Sequence, residues 1–402
     1  MDTLRTRFPA LPFLIYLLPM LGDMIVSLSL FVNAVRLARM GASATVVAST
    51  LTTWSVVYLL SCMVVGRVVN AANAARMMIG SLTGLALISL LFMVVPGIAG
   101  VYSLMALAGC ATAFFFVPFL VFVKAVDGGR NKSVAYSSGF YTFAWSLGFA
   151  LGPFVAGLLM ELGIDRARGL DEGWKYAWLF SAAVSVAACL GVLRLRHLVK
   201  EPRGDDGGGV GVDVIPDYSR MPDLAWLGWV AGATGVVVIS VIRGVFPSRA
   251  ETSLQLAPSL QGLIFFLLSL AQAVTGLLLC RSRYWMFKSG AVAGFGLAGI
   301  LGTLALGFGR LPSVLCAGAL LFGIYSGGFF FYLVFHALIH PERSGRYVAV
   351  NEVVVGLGTM VGAAVGGMLA DQFGFGAPFA AGAALVGATV LFQRMVCSKP
   401  RY

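Results

Sequence analysis

The chain has 402 residues, 59% of them hydrophobic and only 11% charged, with a mean hydropathy of +0.91. These values exclude a soluble globular domain, and the long apolar runs exclude a flexible low-complexity chain despite 50 glycines. A formal net charge of +11 invites nucleic acid as a partner, but the placement of the basic residues accounts for it differently.

A helix needs about 20 predominantly apolar residues to cross about 30 Å of hydrocarbon. Runs of that length predict twelve spans. Six lie near Leu11–Val35, Thr45–Val65, Met77–Val95, Val101–Val123, Val134–Met160 and Tyr176–Leu193. A polar stretch, Arg194–Asp223, follows and carries the glycine-rich, acidic run from Gly204 to Gly211. Six further spans lie near Leu224–Val245, Pro258–Cys280, Phe287–Phe308, Val314–Leu338, Tyr347–Ala370 and Pro378–Val396. The expected fold is an all-α integral membrane protein. Residues 1–199 form one six-helix bundle, 200–223 a linker and 224–402 a second bundle, pseudo-symmetric around a central cavity.

With an even number of spans both termini and the linker share one side. Twenty Lys and Arg residues fall on that side and eight on the other, so the positive-inside rule makes it cytoplasmic, in a cytoplasmic (inner) membrane. The positive charge is then topological, which argues against a nucleic-acid partner and leaves contact with anionic lipid headgroups open. Arg5 and Arg7 before an apolar run resemble a signal peptide, but the run is long and Asp23 interrupts it. The six cysteines sit singly in apolar runs, with no spacing for a metal site or a disulfide framework. Neither a metal nor a cofactor is expected, and no phosphate-binding or nucleophile–base motif points to an enzyme.

A repeat supports the division. Gly148, Gly152, Gly157 and Glu161 recur as Gly358, Gly362, Gly367 and Asp371, with Gly366 beside them. Upstream, Phe116, Phe119, Phe122 and Arg130 answer Phe329, Tyr332, Phe335 and Arg343 at an offset of 213. Small residues at four-residue spacing line one helix face and let helices cross closely, either at a moving interface or in static packing. Pro153 permits a kink that would suit a hinge.

This duplicated layout resembles the major facilitator superfamily. The loop Gly66-Arg-Val-Val-Asn70-Ala-Ala-Asn73-Ala-Ala-Arg76 is similar to the family's motif after the second span, with Asn70 in place of an acid. Asp127-Gly-Gly-Arg130 and Pro341-Glu342-Arg343 resemble its acid–arginine pairs after the fourth and tenth spans. Gly148-x-x-x-Gly152-Pro153 resembles the helix-five motif of antiporters, with altered later spacing. The resemblance implies a monomeric secondary transporter of a small molecule working by alternating access, coupled to protons, with a lean to efflux. An uptake symporter and a transport-inactive sensor or scaffold remain alternatives. It also implies that Arg76, Asp127, Arg130, Glu342, Arg343 and Arg346 form a cytoplasmic latch with Asn70, or else anchor loops at the headgroups.

Charges inside the membrane are the sharper signal, since an acid at a helix centre costs on the order of 2.5 to 3.5 kcal/mol. Asp23, midway along the first span, is expected to bind proton or substrate, the alternative being a structural hydrogen bond to Ser27, Ser29 or a neighbouring helix, with no titration in the cycle. Glu352 serves as a gate or caps its helix. Arg243 meets an anionic group from the far side. Phe116, Phe119, Tyr325, Phe329 and Tyr332, on spans that line the cavity in the resembling family, would form an aromatic wall. Few deep charges favour a neutral, amphipathic or cationic solute.

Overall fold

The structure, a computed structural model, describes residues 11–95, 97–127, 134–165, 170–198, 225–281, 289–338 and 344–397. Twelve long helices dominate them. The first six are α1 (Leu11–Arg39), α2 (Ala44–Val68), α3 (Ala74–Phe92), α4 (Gly97–Asp127), α5 (Val134–Leu162) and α6 (Gly173–Leu195). The rest are α7 (Ala225–Thr252), α8 (Pro258–Arg281), α9 (Ser289–Phe308), α10 (Pro312–Leu338), α11 (Ser344–Phe373) and α12 (Gly376–Cys397). All twelve are long and apolar enough to span a membrane. The one departure from an all-helical chain among the described residues, apart from a short 3-10 turn after α6, is a two-residue antiparallel ladder, Ile164–Asp165 with Leu170–Asp171, in the loop between α5 and α6. The polar linker lies outside the described residues, and the four cysteines whose side chains are described, Cys62, Cys110, Cys189 and Cys316, form no disulfide.

Helix ends differ from the sequence reading where polar groups find partners. The seventh span is expected to end at Val245, before Pro247, Arg249 and Glu251, yet α7 runs on to Thr252. Arg249 donates to the carbonyls of Leu306 and Gly309 at 2.8 and 2.7 Å, and Glu251 pairs with Arg39, so these charges are satisfied in place. Past α1 and α11 the chain reverses at Gly41 and Gly374, whose φ values of 77° and 85° suit glycine.

The repeat is visible as packing. Gly148 and Gly152 of α5 press on the α1 backbone at Met20 and Met24, and Gly362 of α11 presses on the α7 backbone at Val237. Gly358 meets the Val236 side chain near the Ala233 carbonyl, and Gly366 meets Val241. Gly22 of α1 receives the ring of Phe115, and Gly235 of α7 that of Phe329. Equivalent glycines therefore seat equivalent helices in the two halves of the sequence. Between the halves, α5 lies along α8 and α2 along α11, with α1 near α7.

Candidate functional site

The two halves touch most closely on the side away from the ends of the chain, here the far side. A Cβ on Gly157 would stand 2.3 Å from the Pro258 carbonyl oxygen, and one on Gly262 2.3 Å from that of Pro153. On the other seam a Cβ on Gly367 would stand 2.7 Å from the Thr45 Cα. Toward the near side the clearance grows: Gly276 would have only Thr142 Cγ2, at 3.9 Å, and Gly356 only the Leu59 side chain, at 3.2 Å. The halves are shut at the far side and part toward the near side.

Polar contacts lock the closed side. Asp371, in the last turn of α11, accepts from the backbone N–H of Ala44 at 2.8 Å and of Thr45 at 2.9 Å. Its own helix end disfavours a negative charge there, whereas the start of α2 has unpaired N–H donors and a positive dipole end. Arg39 of α1 grips Glu251 of α7 through two bonds, 3.1 and 3.3 Å, and Gln261 of α8 donates to the same carboxylate at 2.6 Å. Glu161, the acid that matches Asp371 in the repeat, is exposed. Losing a cap of this kind costs about 1 to 2 kcal/mol. Asp371→Ala is therefore expected to raise the far-open population roughly 5- to 30-fold. Spin labels at the exposed Met40 and Ser253 would show it as growth of a longer distance; an unchanged distribution would mean that the cap does not hold the gate.

Deeper in the interface two opposed charges face each other. Asp23 of α1 is buried, 7% exposed, and the Arg243 guanidinium of α7 is the charge that acts on it. Ser27 is bonded to the carbonyls of Met24 and Gly148, and Ser29 to that of Ile25, so neither serine engages Asp23. Arg243 lies inside the interface: its guanidinium sits 4.3 Å from the centre of the Phe149 ring, and its buried Nη2 has no hydrogen-bond partner. Beside it is a cavity of about 30 Å³ lined by residues of α1, α5, α7 and α8, among them Ser27, Phe149 and Ser269. That volume has room for a water or for one acceptor atom of a ligand. Close by, Gln272 of α8 donates to Ser146 of α5 at 2.9 Å and accepts from Ser326 of α10 at 2.6 Å, while Trp145 meets Phe330 edge to face at 5.3 Å.

Other residues singled out from the sequence lie elsewhere. Phe116, Phe119, Tyr325 and Phe329 are buried in the packing of their own halves, with Phe119 stacked on Tyr141. Tyr332 is half-buried. Rings that meet between the halves are Trp145 with Phe330, Phe31 with Phe265 and Phe154 with Phe266. Asn70 folds back on its own loop, accepting from the N–H of Ala72 and of Asn73, and Arg76 donates to the Ala72 carbonyl at 3.4 Å. The side chains of Asp127 and Arg346, and the whole of Arg130, Glu342 and Arg343, lie outside the described residues. The contacts made by Asp371, Arg39 and Glu251 escaped the sequence reading, which had Asp371 only as the last member of the repeat. An acid in a helix's last turn, opposed by its own dipole, was the available signal.

Comparison with known proteins agrees with this architecture. The family model described as the Major Facilitator Superfamily matches residues 13–250, more than half of the chain. The nucleoside transporter NupG has a similar structure, with a TM-score of 0.69 at 12% identity over 97% of this chain and 99% of that one. The human organic anion transporter MFSD10 is similar with a TM-score of 0.58 at 15% identity, over 94% and 97% of the two chains. No curated protein matches by sequence. The chain belongs to the major facilitator superfamily and is a multi-pass membrane transporter.

Proposed function

We propose that this superfamily member is a proton-coupled secondary transporter that carries a small organic solute by alternating access between bundles 1–199 and 224–402, joined by the linker 200–223. The observation that carries the reading is the pair Asp23 and Arg243: one charge from each half, both inside the membrane, with a guanidinium nitrogen left unpartnered beside a cavity. Charges so placed are costly and serve ion or substrate pathways. When Asp23 takes up a proton the attraction across the interface disappears, which favours separation of the halves there. Far-side closure, held by Asp371 and Arg39–Glu251, then exchanges with closure at the near side, where Asn70, Arg76, Asp127, Arg130, Glu342, Arg343 and Arg346 are the candidate contacts.

Both termini face the cytoplasm in this reading, the protein acts as a monomer in the cytoplasmic membrane, and lipid headgroups meet its basic loops. Efflux by antiport is the preferred direction, on the strength of Gly148-x-x-x-Gly152-Pro153. The similar structures are named for nucleosides and for organic anions, and the solute class of this chain turns on the charges between its halves.

Reconstituted vesicles with a pH-sensitive dye inside, exposed to a panel of nucleosides and aromatic amines, test this. Solute-dependent proton movement is expected in wild type and lost in Asp23→Asn. Solute exchange without proton movement at any imposed gradient would remove the coupling, and no exchange of any solute would remove the transport reading.

A further inference from the structure

Inward of the far-side seams, Glu352 is a carboxylate that the Asp23–Arg243 pair does not use. Its place follows from the register of two antiparallel helices. Thr45 of α2 lies against Gly367 of α11; Thr52 donates to the Met360 carbonyl at 3.4 Å; Ser55 donates to that of Gly356 at 3.2 Å. One turn further, Tyr58 and Cys62 come opposite Glu352. This register puts Glu352 on the face of α11 that meets α2, and it acts electrostatically on both residues and on Tyr141 of α5. The Glu352 side chain keeps accessible surface although burial acts on its carboxyl group, and no basic side chain acts on it among the described residues.

Aromatic surface surrounds it. Trp54 stacks on Tyr58 with ring centres 5.0 Å apart and planes 6° from parallel. Tyr141 stacks on Phe119 and is the one ring acted on by both Glu352 and Asp23 among the described residues, so it links this position to the deeper pair. Inward of the closed far-side seams, the space between the halves thus holds two carboxylates and one guanidinium among the described residues. Arg243 is balanced by Asp23, and Glu352 is left over. A carboxylate with no cationic partner among the described residues, beside electron-rich ring faces, suits an organic cation: the carboxylate supplies the charge and the rings attract the cation through their quadrupoles.

We infer that Glu352, with Tyr58 and Tyr141, forms a binding site for an aromatic or alkylated organic cation at the near-side mouth of the central space. This rests on the transporter reading and names the substrate class for it. The site is reached while the far side is closed, so the cation enters from the side of the chain termini. Tyr141 then stands between the bound cation and Asp23.

The test is equilibrium binding of tetraphenylphosphonium to the full chain in nanodiscs of zwitterionic lipid, with tetraphenylborate as an anion of the same shape. Wild type is expected to bind the phosphonium, and the borate at least about tenfold more weakly. Glu352→Gln, close in size and shape, is expected to lose about tenfold or more in phosphonium affinity, and Glu352→Asp to fall between. Equal affinity in wild type and Glu352→Gln, equal affinity for the two ions, or no binding by wild type would each overturn the cation site. The Met40–Ser253 distance, read on the same samples, keeps the two ideas apart. Two exchanging distances with binding indifferent to Glu352 retire the cation site and leave the transporter standing. One fixed distance under every condition, with binding intact, retires the transporter reading and keeps the site.

Discussion

Asp23→Asn is expected to destabilise the purified protein by about 2 to 3 kcal/mol, and adding Arg243→Gln to recover most of that loss. Asparagine matches aspartate in size, so packing against Gly148 is retained, and what changes is the charge opposite Arg243. The guanidinium would then keep the Phe149 ring as its favourable neighbour among the described residues. Removing one member of a directly bonded buried pair costs about 3 to 5 kcal/mol, because the other charge is left without compensation. Asp23 and Arg243 act on each other without a hydrogen bond between them among the described residues, which sets the expected cost below that range. Replacing both charges removes the uncompensated group, and the double variant is expected to lie closer to wild type than either single one. A double-mutant cycle on thermal unfolding in detergent reads the coupling directly. Additive losses, or an Asp23→Asn protein as stable as wild type, would show that the two charges do not support each other. Proton-coupled flux is expected to fail in both Asp23 variants, so stability and coupling separate in the double variant.

Span number was legible because it rests on local quantities, run length and hydropathy, and the glycine spacing was visible as a repeat in register. What each glycine touches was not legible. Gly148 and Gly152 read as the same stripe as Gly157, yet they seat α5 on α1 inside one half, while Gly157 meets α8 of the other half. Spacing puts them on one face without saying how many partners that face has. The aromatic residues show the same limit. In the run Phe329-Phe330-Phe331 neighbouring rings point about 100° apart on a helix. Family position favours Phe329, which fills the hollow at Gly235, whereas Phe330 meets Trp145 across the halves. Asp23 and Arg243 were each legible as costly charges, but their pairing joins residues 220 positions apart and appears only when the halves close. Asp371 was visible as the last member of the repeat; its role depends on α2 beginning beside it.

The close seams lead to the second large effect. Leucine at Gly157 or Gly367 is expected to abolish far-side closure while leaving each half folded. A new Cβ at Gly157 would meet a main-chain carbonyl at 2.3 Å, and at Gly367 a main-chain Cα at 2.7 Å. Neither contact is the end of a flexible side chain, so relief must come from moving whole helices apart. Overpacking of this kind costs about 1 to 3 kcal/mol in a core that can adjust. Here the cost falls on one conformation alone, since the seams open when the halves rock. The Met40–Ser253 distance should shift to its longer value in either variant, and transport should stop because the cycle has lost one of its end states. Gly148→Leu is the informative contrast: its Cβ would stand 2.2 Å from the Met20 carbonyl within one half, so it should lower expression and stability instead of selecting a conformation. Gly80, where an added Cβ would meet nothing within 4 Å, should accept leucine with little effect on either reading. If Gly157→Leu and Gly367→Leu kept the short distance and the wild-type transport rate, the α5–α8 and α2–α11 seams would be static packing, and the motion would have to be sought elsewhere in the fold.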